Sequence, residues 1–307
     1  MWRVYLLLVV VTVISGLTPV AARLAAAELP PLTIPFFRFG SAGLLLLLTM
    51  KLLRLPWMIP RSQWPIFLGL GAICVPLNQT GFLFGIRLAN ASHAGITYAL
   101  VPVIVFWISL ALRRTHLSGR MILASTLASA GAVVVVLATG EMATGPQVGL
   151  SVLSGDGLLL TAAASWSLFA VVSQPLVRTY GAIHTLTAVF LAGALLHVPF
   201  VIVDYLYFDL GRFDVSAVTW RAVVGFTYIT LITAYTNYLL WYLVVARFDV
   251  TRSAVITNSS FLITVLAEAA WFGQRLNGWI AAGSLVLFAG IALATQAPER
   301  GRGPEKA

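Results

Sequence analysis

Almost the whole chain is divided into long apolar runs joined by short polar links. The runs are continuous and do not alternate between apolar and polar residues, which indicates helices rather than the strands of a barrel. A helix needs roughly 20 mostly apolar residues to cross a bilayer. We delimit ten such runs, at 4–22, 34–53, 64–86, 92–112, 120–138, 155–177, 182–203, 220–246, 251–272 and 277–295. The sequence therefore predicts an all-α integral membrane protein with ten transmembrane helices.

The composition supports a lipid environment. Hydrophobic residues make up 60% of the chain and charged residues 9%, whereas a soluble domain carries about 25% charged residues. The formal charge of +9 comes from basic residues scattered singly between apolar runs. This pattern forms no basic domain, so we exclude a nucleic-acid partner and expect the lipid bilayer to surround the protein. The single cysteine, Cys74, excludes an internal disulfide and a thiolate metal site.

The distribution of Lys and Arg predicts the orientation. With the N-terminus in the cytoplasm, thirteen of these residues lie in inner segments and five in outer ones, the bias that the positive-inside rule describes. We therefore expect a multi-pass protein of the cell inner (plasma) membrane with both termini cytoplasmic. The first run resembles a signal peptide, but it is about 19 residues long and has a later counterpart, so we interpret it as a retained helix.

A repeat relates the two halves of the chain. At a constant offset of 159 residues, Asn78 corresponds to Asn237 and Gly131 to Gly290. We therefore divide the chain into a first five-helix repeat (1–138), an outer linker (139–154), a second five-helix repeat (155–296) and a disordered cytoplasmic tail (297–307). Because five is an odd number, the second repeat must enter the membrane from the opposite side. Inverted repeats of this kind are typical of secondary transporters, which bind substrate near the midplane between the halves.

Several motifs resemble those of one transporter family. They are Asn-Ala-Ser-His-Ala-Gly at 90–95 followed by Val-Pro-Val at 101–103, Phe-Gly-Gln-Arg-Leu at 272–276 followed by Gly283 and Gly290, and Arg38-Phe39. With the ten runs in two fives, this pattern resembles the EamA family of the drug/metabolite transporter superfamily. Gln274 stands where that family usually has glutamate. The resemblance implies export or exchange of small metabolites such as amino acids.

Polar side chains inside the apolar runs are the candidates for substrate binding, because such groups are costly in lipid unless they are paired or face a cavity. Asn78 and Asn237 lie at matching positions and offer amide donors and acceptors. Tyr98 and Asn258 would contribute from the fourth and ninth helices. Helix–helix hydrogen bonding is the alternative role for the amides. Three aromatic residues are further candidates to line the cavity, with ordinary packing as their alternative: Trp166, Tyr238 and Trp241.

Two charged residues in the apolar runs suggest two readings. Glu268 is an acid within the ninth run, and Arg38 lies about one turn inside the second. A desolvated Glu268 could carry a proton and couple transport to a proton gradient, and sodium coupling is also open. The alternative is a structural ion pair between Glu268 and Arg38.

We therefore expect a secondary transporter for a small-molecule substrate that works by alternating access as an exporter or exchanger. A homodimer is one assembly that such a protein could form. The alternatives are a channel or non-transporting scaffold, and a membrane-embedded lipid-modifying enzyme. An enzyme would need clustered acids, histidines or nucleophiles, whereas the acids here are mostly isolated in links. We find no HExxH, Cys/His grouping or Gly-rich phosphate loop, so we expect no metal, no cofactor and no ATP-driven pump.

Overall fold

The computed structural model describes residues 2–88, 91–115, 117–138, 150–208, 211, 213–272 and 277–296. Within these ranges every regular element is a helix. Nine helical stretches there are long and apolar enough to cross a membrane, and one further apolar helix, Val101–Ala111, is shorter. The difference from the ten predicted spans arises at the fourth span, which is divided into two short helices.

The α-helices follow the predicted runs closely. They are α1 (Trp2–Ala26), α2 (Ile34–Leu52), α3 (Trp64–Ala72), α4 (Asn78–Leu88), α5 (Ala91–Ala99), α6 (Val101–Ala111), α7 (Gly119–Ala138), α8 (Leu150–Tyr180), α9 (Ala182–Tyr207), α10 (Trp220–Thr227), α11 (Tyr238–Val245), α12 (Val250–Thr257), α13 (Ser260–Phe272) and α14 (Gly278–Gln296). Helix α8 begins inside the predicted linker 139–154, five residues before the predicted 155. Residues 139–149 and the predicted tail 297–307 lie outside the described residues.

The fourth and ninth spans are both interrupted. The fourth changes from α5 to α6 at Leu100, just before Pro102, because proline lacks the N–H that would continue the helix. The ninth changes from α12 to α13 at Asn258 and Ser259. There the Ser259 hydroxyl donates to the carbonyl oxygen of Ile256 at 2.7 Å, a local bond that competes with helical pairing. Leu100 and Ser259 are separated by the repeat offset of 159.

The third and eighth spans each contain a π-helical segment. Residues Ile73–Leu77 connect α3 to α4, and Tyr228–Asn237 connect α10 to α11. Pro76 lies in the first segment and removes one backbone donor. In the second, the Thr236 hydroxyl donates to the carbonyl oxygen of Leu231, five residues back. When the repeat offset of 159 residues is added to the first segment, the resulting positions lie within the second segment. π-Helical turns occur frequently at functional sites.

Helices α7 and α14 approach each other through glycine. A Cβ atom at Gly131 would lie 2.6 Å from the oxygen of Gly283, and one at Gly290 would lie 2.7 Å from the oxygen of Ala124. These two contacts are exchanged by the repeat offset, as in a two-fold interface. Asn258 and Ala99, also related by the offset, contact each other directly. The tightest packing between the halves therefore follows the repeat that the sequence predicts.

The interior core joins both halves of the chain. Most of its buried members come from α2, α8, α9, α11 and the π-helical segment Ile73–Leu77. Outside this core, Glu28 in the link after α1 accepts hydrogen bonds from the backbone N–H and the hydroxyl of Thr219, at 2.6 and 2.7 Å. These two donors hold the pKa of Glu28 below its usual value. The contact ties the α1–α2 link to the start of α10.

Candidate substrate-binding site

Arg38 lies one turn into α2 and points into the bundle. Its Nε donates to the carbonyl oxygen of Ile229 at 3.0 Å, and this carbonyl belongs to the π-helical segment Tyr228–Asn237. The guanidinium carbon lies 5.0 Å from the ring centroid of Phe39, within the range of a cation–π contact. Protein atoms surround the guanidinium, yet the residue keeps accessible surface.

Asn78 forms the centre of a polar cluster at the junction of a π-helical segment and α4. Its Nδ2 donates to the hydroxyl oxygen of Tyr98 at 2.9 Å and to the carbonyl oxygen of Ala162 at 2.8 Å. Its Oδ1 accepts a hydrogen bond from Nε2 of Gln79 at 2.7 Å. Two predicted site residues, Asn78 and Tyr98, are thus in direct contact. The bond to Ala162 also connects the first half of the chain to the second.

Aromatic rings from both halves meet beside this cluster. Trp166 on α8 and Tyr238 on α11 make an edge-to-face contact with ring centroids 5.5 Å apart. Tyr238 also packs against Phe190 at 5.1 Å and Phe39 at 6.0 Å. Edge-to-face pairs of this kind stabilise an interior and hold the rings in fixed orientations. The predicted pair Trp166 and Tyr238 is therefore brought together by α2, α8, α9 and α11.

Electrostatics connects the three groups. The guanidinium of Arg38 is close enough to interact with Tyr238, Cys74 and Tyr98. Among the residues that the structure describes, no carboxylate contributes to the surroundings of Arg38. Arg38, the Asn78–Tyr98–Gln79 cluster and the Trp166–Tyr238 pair together are named the central cluster here. It combines a cation, amides, hydroxyl groups and aromatic rings, which suits a polar solute with an apolar part.

Three predicted site residues are not part of the central cluster as defined above, although Trp241 packs in the same apolar core as Tyr238. Asn237 donates from Nδ2 to the Ser15 hydroxyl at 3.0 Å, while its Oδ1 is buried without a hydrogen-bond partner among the described residues. Asn258 donates from Nδ2 to the carbonyl oxygen of Ala128 at 3.1 Å and more weakly to that of Ala99 at 3.4 Å. Trp241 is buried one turn beyond Tyr238. In the described chain no hydrogen bond joins Asn237 to Asn78, and each amide instead bonds to another helix.

The predicted partner of Arg38 is not among its contacts in the described chain. The side chain of Glu268 lies outside the described residues, and its helix, α13, packs mainly on α1 and α7. Helix α2, which carries Arg38, packs mainly on α9 and the second π-helical segment. In the described part of the chain, no three His, Cys, Asp or Glu side chains gather closely enough to hold a metal ion.

Sequence reasoning missed Gln79, a member of the central cluster, and Cys74, which interacts with Arg38. Gln79 follows Asn78 directly, and a regular α-helix turns about 100° per residue, so the two amides were not expected to act together. In the structure the two side chains nevertheless meet, because Nε2 of Gln79 donates to Oδ1 of Asn78. Cys74 lies within the π-helical segment Ile73–Leu77, whereas the sequence alone shows only that it excludes an internal disulfide and a thiolate metal site. Pro76 was the sequence signal that the helix is irregular here.

Two proteins of similar sequence are both described as transporters. An uncharacterized transporter from Buchnera aphidicola subsp. Schlechtendalia chinensis is 28% identical over 106 residues, 34% of this chain and 35% of that protein. The uncharacterized transporter YetK of Bacillus subtilis (strain 168) is 24% identical over 260 residues, 83% of this chain and 75% of YetK. The chain thus spans about a third of the first relative and three quarters of the second.

The fold also occurs in a solved structure. A protein described only as a crystal structure superimposes with a TM-score of 0.78 and 20% identity, covering 96% of this chain and 97% of that one. At this identity, the likeness shows the fold alone. The model of the EamA-like transporter family matches residues 2–137 and again residues 153–296. The chain therefore belongs to the EamA-like transporter family and is a membrane transporter of the drug/metabolite superfamily.

Proposed function

We propose that this protein is a secondary transporter that exports or exchanges a small organic metabolite, such as an amino acid, by alternating access. In this proposal two inverted five-helix halves move relative to each other around a site near the membrane midplane. The orientation is that of the Lys and Arg bias, with both termini on the cytoplasmic side of the inner membrane.

The observation that carries the proposal is the pairing of irregular segments. The third and eighth spans both contain π-helical turns, and the fourth and ninth are both interrupted at positions 159 residues apart. Secondary transporters place broken helices around the substrate, because broken turns expose backbone groups and bend without disturbing the rest of the helix. A static scaffold or channel needs no such matched pair of interruptions.

The central cluster is the proposed substrate site. Tyr98 and Gln79 would bind polar groups of the solute, and Trp166 with Tyr238 would contact its apolar part. Asn78 would hold Tyr98 and Gln79 in position through the bonds described above. Asn237, Asn258 and Trp241 would contribute to the coupling between the halves. Coupling to protons or sodium, with Glu268 as the candidate proton carrier, and assembly as a homodimer remain part of the proposal.

Thermal unfolding of the purified protein against amino acids, vitamins, nucleosides and cationic drugs would identify ligands. A ligand present at 100 times its dissociation constant adds about 2.7 kcal/mol to the apparent stability. Each ligand found would then be loaded into proteoliposomes, and exchange of labelled ligand from outside would be measured. We expect saturable uptake that is accelerated by unlabelled ligand inside the vesicles.

Two tryptophan variants provide a matched comparison. Trp166→Ala should weaken both ligand stabilisation and exchange, because it removes a ring from the central cluster. Trp107→Ala is the control, since Trp107 is 51% exposed on α6 and should leave both unchanged. Uptake that neither saturates nor exchanges would favour a channel, and recovery of a chemically altered ligand would favour an enzyme.

A further inference from the structure

Arg38 brings a positive charge into the bundle and uses only part of its bonding capacity. A guanidinium has five N–H donors in a planar fork. The one on Nε donates to the carbonyl oxygen of Ile229. Among the residues that the structure describes, neither terminal nitrogen of Arg38 has a hydrogen-bond acceptor, and neither is fully buried. Four donors therefore have no acceptor among the described residues.

Among the residues that the structure describes, no opposite charge lies close to this fork. The side chains that act on Arg38 electrostatically are Tyr98, Tyr238 and Cys74, which are neutral in their usual range of pH. None of the carboxylates in the described chain contributes. Charged side chains within a membrane are normally paired, bonded to carbonyl groups or directed at a water-filled cavity. Arg38 is anchored by one carbonyl and has no counter-charge among the described residues.

We propose that the terminal nitrogens of Arg38 bind a carboxylate group of the transported solute. The inference rests on the proposed function, because it places the solute in the central cluster. A carboxylate matches the fork with two parallel hydrogen bonds and supplies the single negative charge that balances Arg38. A phosphate monoester carries between one and two negative charges at neutral pH, more than this one cation neutralises.

The neighbouring groups fit the rest of such a solute. The hydroxyl oxygen of Tyr98 accepts from Asn78, so its proton is available to donate to a second carboxylate lone pair. The rings of Trp166 and Tyr238 are held edge to face at 5.5 Å and offer apolar surface for the body of the solute. Solutes that carry only positive charge are disfavoured, because Arg38 repels them.

Pairs of carboxylates and their primary amides test this directly on the full-length wild-type protein. The probes are L-leucine, L-phenylalanine, L-glutamine, L-threonine and benzoate, each compared with its own amide, together with phenyl phosphate. Dissociation constants come from the ligand dependence of thermal unfolding in detergent. We expect at least one carboxylate to bind about tenfold or more tightly than its amide, the ratio produced by a charge-assisted hydrogen bond. No preference for any carboxylate, or tighter binding of phenyl phosphate than of benzoate, would overturn the inference.

Three arginine variants assign the effect to this residue. Arg38→Gln should abolish the preference for carboxylate over amide, and Arg38→Lys should retain part of it, because lysine keeps the charge but loses the fork. Arg178→Gln is the control: Arg178 also donates from Nε to a carbonyl oxygen, that of Ala246, but it is exposed at the end of α8. A full preference in Arg38→Gln would contradict the assignment. If Arg38→Gln does not fold, the wild-type pairs and Arg38→Lys still decide.

Exchange in proteoliposomes separates this inference from the proposed function. If amides or amines are exchanged and carboxylates are not bound, the result supports the proposed transport function and contradicts the proposed role of Arg38. If carboxylates bind through Arg38 and no probe that binds is ever exchanged, the result supports carboxylate binding by Arg38 and contradicts the proposed transport function.

Discussion

Replacing Gly131 by alanine should separate the most closely packed helix pair of the protein. The added Cβ would lie 2.6 Å from the oxygen of Gly283 and 2.7 Å from Cα of Leu287. Both atoms belong to the backbone of α14, so no rotation of a side chain relieves the contact. The substitution must therefore move α7 away from α14 and disturb the packing between the halves.

The size of the effect follows from two opposing contributions. Inserting a methyl group into a closely packed interface costs about 1–3 kcal/mol, and backbone contacts place this site near the upper value, at about 3 kcal/mol. Alanine in the helix interior recovers about 1 kcal/mol relative to glycine. We therefore expect a net loss of about 2 kcal/mol. At roughly 2–4 °C for each kcal/mol, the midpoint of unfolding should fall by about 4–8 °C.

Thermal unfolding in detergent would measure this change against two further variants. Gly290→Ala should lower the midpoint similarly, because its Cβ would meet the nitrogen of Ala128 at 2.5 Å. Gly69→Ala should raise the midpoint slightly, because Gly69 in α3 has no atom within 4 Å of the added Cβ and only the propensity gain remains. A Gly131→Ala protein as stable as Gly69→Ala would refute the packing argument.

Three smaller predictions concern hydrogen bonds. The bonds from Thr219 favour the charged form of Glu28, so Glu28→Gln should lower the unfolding midpoint at neutral pH. The difference between the two proteins should vanish as the pH falls through the lowered pKa of Glu28. A difference that persists in full at pH 2 would contradict this prediction. Asn258→Ala should cost about 1 kcal/mol, since it removes two interhelical bonds of about 0.6 kcal/mol each, and an unchanged midpoint would show that these bonds contribute nothing. Asn237→Leu alone should be less stable than the double variant with Ser15→Ala, because the single variant leaves the Ser15 hydroxyl oxygen without its donor and the double variant removes both partners, as a double-mutant cycle would measure.

The positions of the spans could be predicted from the sequence because lipid sets a minimum apolar length. Most of α1, α2, α7, α9 and α14 fall within a few residues of the predicted runs. The offset of 159 was also readable, since glycines and asparagines recur at fixed spacing. Proline chemistry explains the interruption before Pro102, but the one at Asn258 and Ser259 has no proline. There the hydroxyl groups compete with helical bonds, which a sequence pattern does not reveal.

Only part of the candidate site could be predicted from the sequence. The sequence named Arg38, Asn78, Tyr98 and Tyr238 as polar or aromatic groups within apolar runs, and composition alone shows that such groups need partners in lipid. Which partners they have depends on how far each helix is rotated about its axis. That rotation is set by the packing of helices distant in sequence and by π-helical turns that change the spacing along the chain. Only the tertiary structure, therefore, gave Asn78 the carbonyl of Ala162 and left Arg38 without a counter-charge in the described chain.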